Sequence, residues 1–269
     1  IGDITITGMD IDRIEAELNI EISADSRILE KNFVNATNLT VDSTKDGYFV
    51  TVSLPQLKDT QTKVLNSQLT VSMPARNAVI CENAFGRVEI SNLRNGLTLN
   101  ANHSEIAVSD IKGPLDITNS MNDIDIKNVN GRMKVTNAYN PVTFRDCIGE
   151  MNVTNSYARV SVFGSDGRLL VNNTGETEVE NHTGNVDISS SYGLIKVDNL
   201  FGNLSVKNAF SPIETREVKG SVVLGNTYAL ISAVDIEGDL KITNNHGRID
   251  ARYFNGPVDI NSENGDINI

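Results

Sequence analysis

The sequence predicts an all-β fold, a parallel β-solenoid of about ten 18-residue coils. Two observations lead to this prediction. Apolar residues, many of them β-branched, alternate with polar ones in short stretches, and glycines recur with a fixed period through most of the chain. Alternation is typical of strands with one buried face, and no window of helical length shows a capped 3.6-residue apolar pattern. A fixed period in such a chain indicates units that stack on one another.

The repeat can be followed from one anchor residue per unit, which defines position 0. The anchors are Asn77, Asn95, Gly113, Gly131, Gly149, Gly167, Gly184, Gly202, Gly220, Gly238 and Gly256. Positions +2 and +4 are apolar in all eleven units, the last of which is partial, and most units hold a second apolar pair at +11 and +13. The unit that begins at Gly167 is one residue short, and its early second pair places the deletion near residues 174–176.

Stacking is what gives these units a core. Two short strands and two turns cannot close a core alone, but coils about 4.8 Å apart can, and ten of them make a rod about 50 Å long. A left-handed hexapeptide helix also has coils of this length. It would need apolar residues six apart at three places in each coil, whereas position +10 is charged in several units, as at Arg87 and Asp123. We therefore expect a right-handed β-helix.

Residues 1–76 alternate in the same way but do not fit the frame. Because a solenoid needs atypical terminal units to shield its stack, we predict an irregular β N-terminal cap over residues 1–76 and the solenoid repeats over residues 77–269. Residues 55–62 are mostly polar and are predicted to form a loop.

Composition excludes some classes of partner. With 23 basic and 35 acidic residues the formal net charge is −12, which argues against binding of nucleic acid, since that requires a basic face. No run of 18 apolar residues is present, so no transmembrane segment is expected. Because the sequence begins at Ile1 rather than at Met, we expect that a signal peptide or lipid anchor preceded it.

Two columns of the repeat are candidate functional positions. Position +6 is predicted to form a structural Asn ladder, because Asn side chains bond local backbone groups and stacked amides can also donate to each other. The residues of this ladder are Asn83, Asn119, Asn137, Asn155, Asn173, Asn208, Asn226 and Asn244. The alternative is that the amides at position +6 are exposed and bind a sugar.

Position +8 collects aromatic residues, including four of the six Tyr of the chain. The column reads Phe85, His103, Met121, Tyr139, Tyr157, Gly175, Tyr192, Phe210, Tyr228 and His246. One interpretation is a packing ladder, in which each ring stacks on its neighbours. The other is a binding ladder for a glycan or a protein partner, formed by Tyr139, Tyr157, Tyr192, Phe210 and Tyr228, because rings stack on sugars and anchor interfaces.

No catalytic residues, metal ligands or cofactors are predicted. His103, His182 and His246 lie in distant units, and no nucleophile, zinc or phosphate-loop motif occurs. Cys81 and Cys147 are three coils apart, about 14 Å along the rod, so both are expected to be free.

Several segments resemble a known family. The run Leu-Thr-Val-Ser-Met-Pro at residues 69–74 is followed by coils such as Gly-Arg-Met-Lys-Val-Thr-Asn at residues 131–137, and the chain opens with Ile-Thr-Ile-Thr-Gly at residues 4–8. Together they resemble the bacterial adhesin family of β-strand-repeat domains, which are uncharacterised β-solenoid proteins of the cell envelope. The resemblance covers nearly the whole chain and implies the fold, but it brings no catalytic residues with it.

The sequence thus favours a non-enzymatic structural or adhesive protein of a bacterial cell envelope or cell surface, with a rigid face for glycan or protein. A carbohydrate-active β-helix enzyme, either a polysaccharide lyase or a hydrolase, is one alternative, although coils of nearly constant length leave no long loops for a cleft. A self-polymerising scaffold like the bactofilins is another. We expect a monomer or weak end-to-end association, since the last coil carries charge of a single sign.

Overall fold

The structure is a computed structural model that describes residues 2–44, 47–55 and 62–269. Over these residues two large sheets run along a stack of about eleven coils, which confirms the predicted β-solenoid. From the first coil onward, each coil contributes one strand to each sheet. The loop expected at residues 55–62 lies largely outside the described residues.

The N-terminal part extends one of the two sheets. It comprises β1 (Asp3–Met9), β2 (Glu15–Ala24), α1 (Arg27–Ala36), β3 (Asn38–Thr44), β4 (Gly47–Ser53) and β5 (Thr62–Pro74). Strand β1 pairs in parallel with β5 on one side and with the second strand of the first coil on the other, β2 pairs antiparallel to β5, and β3 and β4 form an antiparallel pair.

Helix α1 contradicts the expectation that the chain forms no helix. The Ser26 hydroxyl accepts a hydrogen bond from the Leu29 backbone N–H and caps the first turn. Ile28, Leu29, Phe33 and Val34 recur at helical spacing, although only Phe33 is buried while Ile28 and Val34 are exposed. The sequence therefore does carry a short capped helical pattern, and it was overlooked. Among the described residues, no helix is long and apolar enough to cross a membrane.

The 11-stranded sheet holds the strands that begin at position +2. They are β6 (Val79–Asn83), β8 (Leu97–Ala101), β10 (Leu115–Thr118), β12 (Met133–Thr136), β14 (Met151–Asn155), β16 (Leu169–Asn173), β18 (Val186–Ser189), β20 (Leu204–Lys207), β22 (Val222–Asn226), β24 (Leu240–Asn244) and β26 (Val258–Ser262). All of the pairings within this sheet are parallel.

The 14-stranded sheet continues from β2, β5 and β1 into the second strand of every coil. These strands are β7 (Gly86–Ser91), β9 (Ser104–Lys112), β11 (Ile124–Asn130), β13 (Val142–Arg145), β15 (Val160–Phe163), β17 (Thr177–Thr183), β19 (Ile195–Phe201), β21 (Ile213–Val218), β23 (Ile231–Ile236), β25 (Ile249–Phe254) and β27 (Ile267–Asn268).

Register follows the repeat residue by residue. Leu115 pairs with Met133 and Met133 with Met151, each a full period further along the chain, whereas Leu169 pairs with Val186, which is one position short of that period. The short unit therefore keeps both strands in register and loses its residue in the turn between them. The columns at +2, +4, +11 and +13 form one continuous buried core between the sheets.

A further buried column, which the sequence pattern did not reveal, lies at position +16. It contains Leu93, Ile111, Val129, Cys147, Ser165, His182, Leu200, Val218 and Ile236. The residue before each of them has a left-handed backbone, with φ between 52° and 60°, as at Asn92, Asp110 and Asn199. Asn and Asp tolerate this conformation, and the bend turns the chain inward after the second strand. Cys81 and Cys147 are both buried and free, as predicted.

His182 is the member of this column whose side chain type ordinarily titrates near neutral pH. Its ring is fully buried, Nε2 lies 2.9 Å from the Gly167 carbonyl oxygen, and Nδ1 has no hydrogen-bond partner. Burial lowers the pKa of His182 below its usual value, because the imidazolium would lose its hydration, although Gly167 and Asp166 oppose this effect.

Acid should therefore destabilise the fold through His182. The unfolded chain takes up the proton at the ordinary histidine pKa of about 6.5, whereas the folded chain keeps the ring neutral to lower pH. The stability that comes from keeping His182 neutral is therefore complete above the ordinary histidine pKa. It is lost as the pH falls from that value toward the lower pKa of the folded chain. We expect His182→Leu to flatten the fall of the urea midpoint between pH 7.5 and 5.5, and His246→Gln, which changes an exposed ring, to retain it. Equal slopes for both variants would contradict the assignment.

The glycine anchors mark a close approach between coils. Gly149 has φ +130°, and a Cβ built on it would lie 2.1 Å from the Gly131 carbonyl oxygen. Gly225, on an outward position of β22, would place a Cβ no closer than 3.9 Å to the Val206 carbonyl oxygen.

We expect Gly149→Ala to lower the free energy of unfolding by about 2 kcal/mol or more, because both the backbone strain and the clash must be accommodated. Gly225→Ala should change it by less than about 0.5 kcal/mol. Urea titrations of the two variants beside the parent compare them directly. Similar losses would show that the anchor corner is less crowded than this geometry requires.

Candidate functional site

The candidate site lies along the turn that follows each strand of the 11-stranded sheet. The side chain at +6 points inward and is buried in the coils that carry Asn, while the side chain at +8 points outward. Asn208 is representative. Its Nδ2 donates to the carbonyl oxygens of Gly193 at 2.9 Å and Ser211 at 2.8 Å, and its Oδ1 accepts from the Ala209 N–H at 2.9 Å. One amide thus ties the turn of its own coil to the turn of the coil before it.

The Asn ladder differs from the predicted one in its bonding. Asn119, Asn137, Asn155, Asn173, Asn226 and Asn244 also donate to the carbonyl oxygen 15 residues earlier in the sequence. None of these bonds runs from one Asn amide to the next. Because the amides are buried and already bonded to turn carbonyls, they are not free to grip a sugar, and the column fixes the turn that presents position +8.

The ring file, defined as the aromatic side chains at +8, is exposed and stacked. Ring centroids lie 5.3 Å apart for Tyr139 and Tyr157, 5.1 Å for Tyr192 and Phe210, and 5.2 Å for Phe210 and Tyr228, with interplanar angles of 15°, 9° and 10°. Phe85 with His103 and Tyr228 with His246 add tilted pairs at 5.3 Å. The five predicted ring residues therefore stand in one line, as two separate stacked runs.

The interruption between Tyr157 and Tyr192 corrects the place assigned to Gly175. Gly175 does not stand at +8. It stacks between Ala158 and Gly193, which are both at +9, since a Cβ on Gly175 would meet Ala158 and one on Gly193 would meet Gly175. Ser190 donates to the Gly175 carbonyl just as the ladder amides do to other +9 carbonyls. The residue missing from the short coil is therefore the aromatic one itself.

Side chains on both sides of the interruption are held by the preceding coil. The Thr174 hydroxyl accepts a hydrogen bond from the Tyr157 backbone N–H at 2.8 Å, and the Glu176 carboxylate pairs with the Arg159 guanidinium at 2.7 Å. The ion pair raises the pKa of Arg159. The hydrogen bond to Glu176 makes the largest contribution, and the negative charge of Glu176 makes the next largest. Sequence reasoning missed these residues, because their importance depends on the register of the deletion.

Catalytic and metal-binding groups are not gathered beside the ring file. His103, His182 and His246 lie in separate coils, and across the described ranges no three His, Cys, Asp or Glu side chains converge as a metal site requires. Burial raises the pKa of the Cys81 thiol to about 11 and also raises that of Cys147, so both thiols are protonated at neutral pH.

No protein-family model, curated protein or solved structure matches this chain. The resemblance to bacterial adhesin domains therefore remains a prediction from the residues that carry it.

The Asn ladder can be tested at Asn208. We expect Asn208→Ala to lower the free energy of unfolding by about 1–3 kcal/mol, because buried turn groups lose their hydrogen-bond partners. Asn172→Ala, at an exposed position of the neighbouring column, should be nearly neutral. Thermal or urea unfolding of the two variants provides the comparison. A neutral Asn208→Ala would show that water satisfies the turn equally well.

Proposed function

We propose that this protein is a non-enzymatic, rigid rod of a bacterial cell envelope that binds glycan along its ring file. The observation that carries the proposal is the ring file itself. Exposed aromatic side chains recur at about 5 Å along one edge of the stack, where they form two stacked runs. Aromatic rings with polar tips combine apolar contact with hydrogen bonding, which suits sugars.

The scaffold holds the rings in a pre-organised arrangement, which favours binding. The ring turns are bonded to neighbouring coils: the Tyr139 N–H donates to the Ser156 carbonyl, and the Phe210 N–H donates to the Ser191 carbonyl. These bonds hold the spacing between the rings before any ligand arrives. Pre-organisation of this kind lowers the entropy cost of binding. Residues next to the file, such as Ser156 and Ser191, carry hydroxyl groups that can bond to sugar hydroxyls.

The distribution of charge also favours binding over catalysis. Several acidic side chains on the outer face of the 14-stranded sheet are paired with basic ones from adjacent coils, as in Lys196 with Glu178 and Arg216 with Asp198. A lyase or hydrolase of the β-helix type needs ionisable groups aimed at substrate in a cleft. Groups that are held in ion pairs with each other do not offer that arrangement.

A glycan array with a double variant tests this function. Tyr139→Ser with Tyr228→Ser removes one ring from each stacked run and leaves Tyr157 and Tyr192 in place. We expect at least a tenfold loss of affinity for the glycans that the parent binds, about 1.4 kcal/mol or more. Tyr253→Ser, which removes a tyrosine that is exposed outside the file, is the matched control.

Three results would overturn the proposal. The parent could bind no glycan on the array, both variants could lose affinity equally, or the parent could shorten a bound polysaccharide. The last result would favour the enzymatic alternative.

A further inference from the structure

The faces of the rings are not all available to a ligand. Within a stacked run each ring covers the face of its neighbour, so Phe210, which stacks on Tyr192 and on Tyr228, offers only its edge. At the interruption, Tyr157 and Tyr192 turn uncovered faces toward each other, and no ring contact joins them. They are also the most exposed rings of the two runs, at 73% and 66%, compared with 52% for Phe210.

The gap between Tyr157 and Tyr192, which we call the slot, has the width of one ring. The two tyrosines are separated by two coil spacings, about 10 Å. An internal comparison shows what fits such a space. Phe210 occupies the equivalent position between Tyr192 and Tyr228, with centroid distances of 5.1 and 5.2 Å and interplanar angles near 10°. A ring in the slot would therefore lie within the range of 4.5–7 Å at which ring faces interact.

The floor of the slot is backbone. Gly175 lies there at +9, and the coil has no +8 residue to project outward. Thr174 and Glu176, the residues on either side, are both bonded to the coil of Tyr157, through its backbone N–H and through Arg159. Their side chains are thus held against the preceding turn and form the polar rim of the slot.

We propose that the slot binds a single pyranose ring, as a terminal or branching sugar of the glycan, an inference that rests on the proposed function. Its two walls are aromatic faces, which match the C–H faces of a pyranose. Its rim carries the hydroxyl groups of Ser156, Thr174 and Ser191 and the Arg159–Glu176 ion pair, which match the hydroxyl groups at the edge of a sugar. A phenyl ring would fill the same space but could not form hydrogen bonds with this polar rim.

The one-residue deletion supplies the test, because it can be reversed. Insertion of Phe between Thr174 and Gly175 restores the full coil length and places a ring in the slot. Insertion of Ala at the same point restores the coil length and leaves the slot open, which makes it the matched control. The probes are methyl pyranosides of glucose, galactose, mannose and N-acetylglucosamine, together with N-acetyltyrosinamide as the aromatic competitor.

Ring signals from carbon-13-labelled tyrosine report the binding, since the chain has six Tyr and no Trp. We expect a methyl pyranoside to shift the signals of Tyr157 and Tyr192 most. Affinity should fall at least tenfold in the Phe insertion and less than threefold in the Ala insertion. Should either inserted chain fail to fold, Tyr157→Ala in the natural chain is expected to lose at least tenfold.

Other outcomes overturn the inference. Shifts at Tyr48 or Tyr253 instead, no shifts with any pyranoside, or equal affinities in the two insertions would remove the slot as a sugar site. Binding of N-acetyltyrosinamide alone would assign it to an aromatic side chain of a protein. If the array detects a glycan that the Phe insertion still binds at full affinity, the slot fails while the proposed function stands. If the array detects no bound glycan at all, the proposed function itself fails, whatever the insertion variants show.

Discussion

In-register parallel pairing between successive coils is the interaction on which the rest of this structure depends. Because each residue lies above its counterpart one coil earlier, any side chain becomes a member of a column. The consequence differs with chemistry. Apolar columns merge into a core, Asn208 and its counterparts bond to turn carbonyls, and rings at +8 stack at little more than the coil spacing. The short coil at Gly167 is tolerated because its missing residue belongs to a turn, so Leu169 still pairs with Val186.

The sequence was sufficient for the features that repeat without exception. Columns at +2 and +4 are apolar in every unit, and they predicted the strands, the coil length and the stacking. The column at +16 was missed, because Ser165 and His182 interrupt its apolar pattern and Cys147 was considered only for disulfide bonding. In the fold these three side chains are as buried as the aliphatic residues of the column. Their polarity is tolerated because nearby backbone carbonyls accept hydrogen bonds from them.

Features that depend on one place in the chain were harder to predict. Helix α1 is a single segment of ten residues, so no repetition along the chain draws attention to the helical spacing of Leu29 and Phe33. The position of Gly175 in the repeat could not be deduced from spacing either, because a one-residue deletion before it or after it would give the same amino-acid sequence. Only its close approach to Ala158 and Gly193 decides the register. The aromatic residues of the file were visible in the sequence, but the break in their stacking was not.

Parallel stacking also fixes how such a rod responds to force. The hydrogen bonds between coils run along the long axis, so tension applied to the ends acts on each interface between coils in series, while the two ladders within one interface share the load. The weakest interface yields first and frees one coil. The extended chain of one coil reaches about 60 Å, whereas the folded coil contributed about 4.8 Å to the rod. Under tension such a rod therefore lengthens in large steps and dissipates work coil by coil before its remaining core is disturbed.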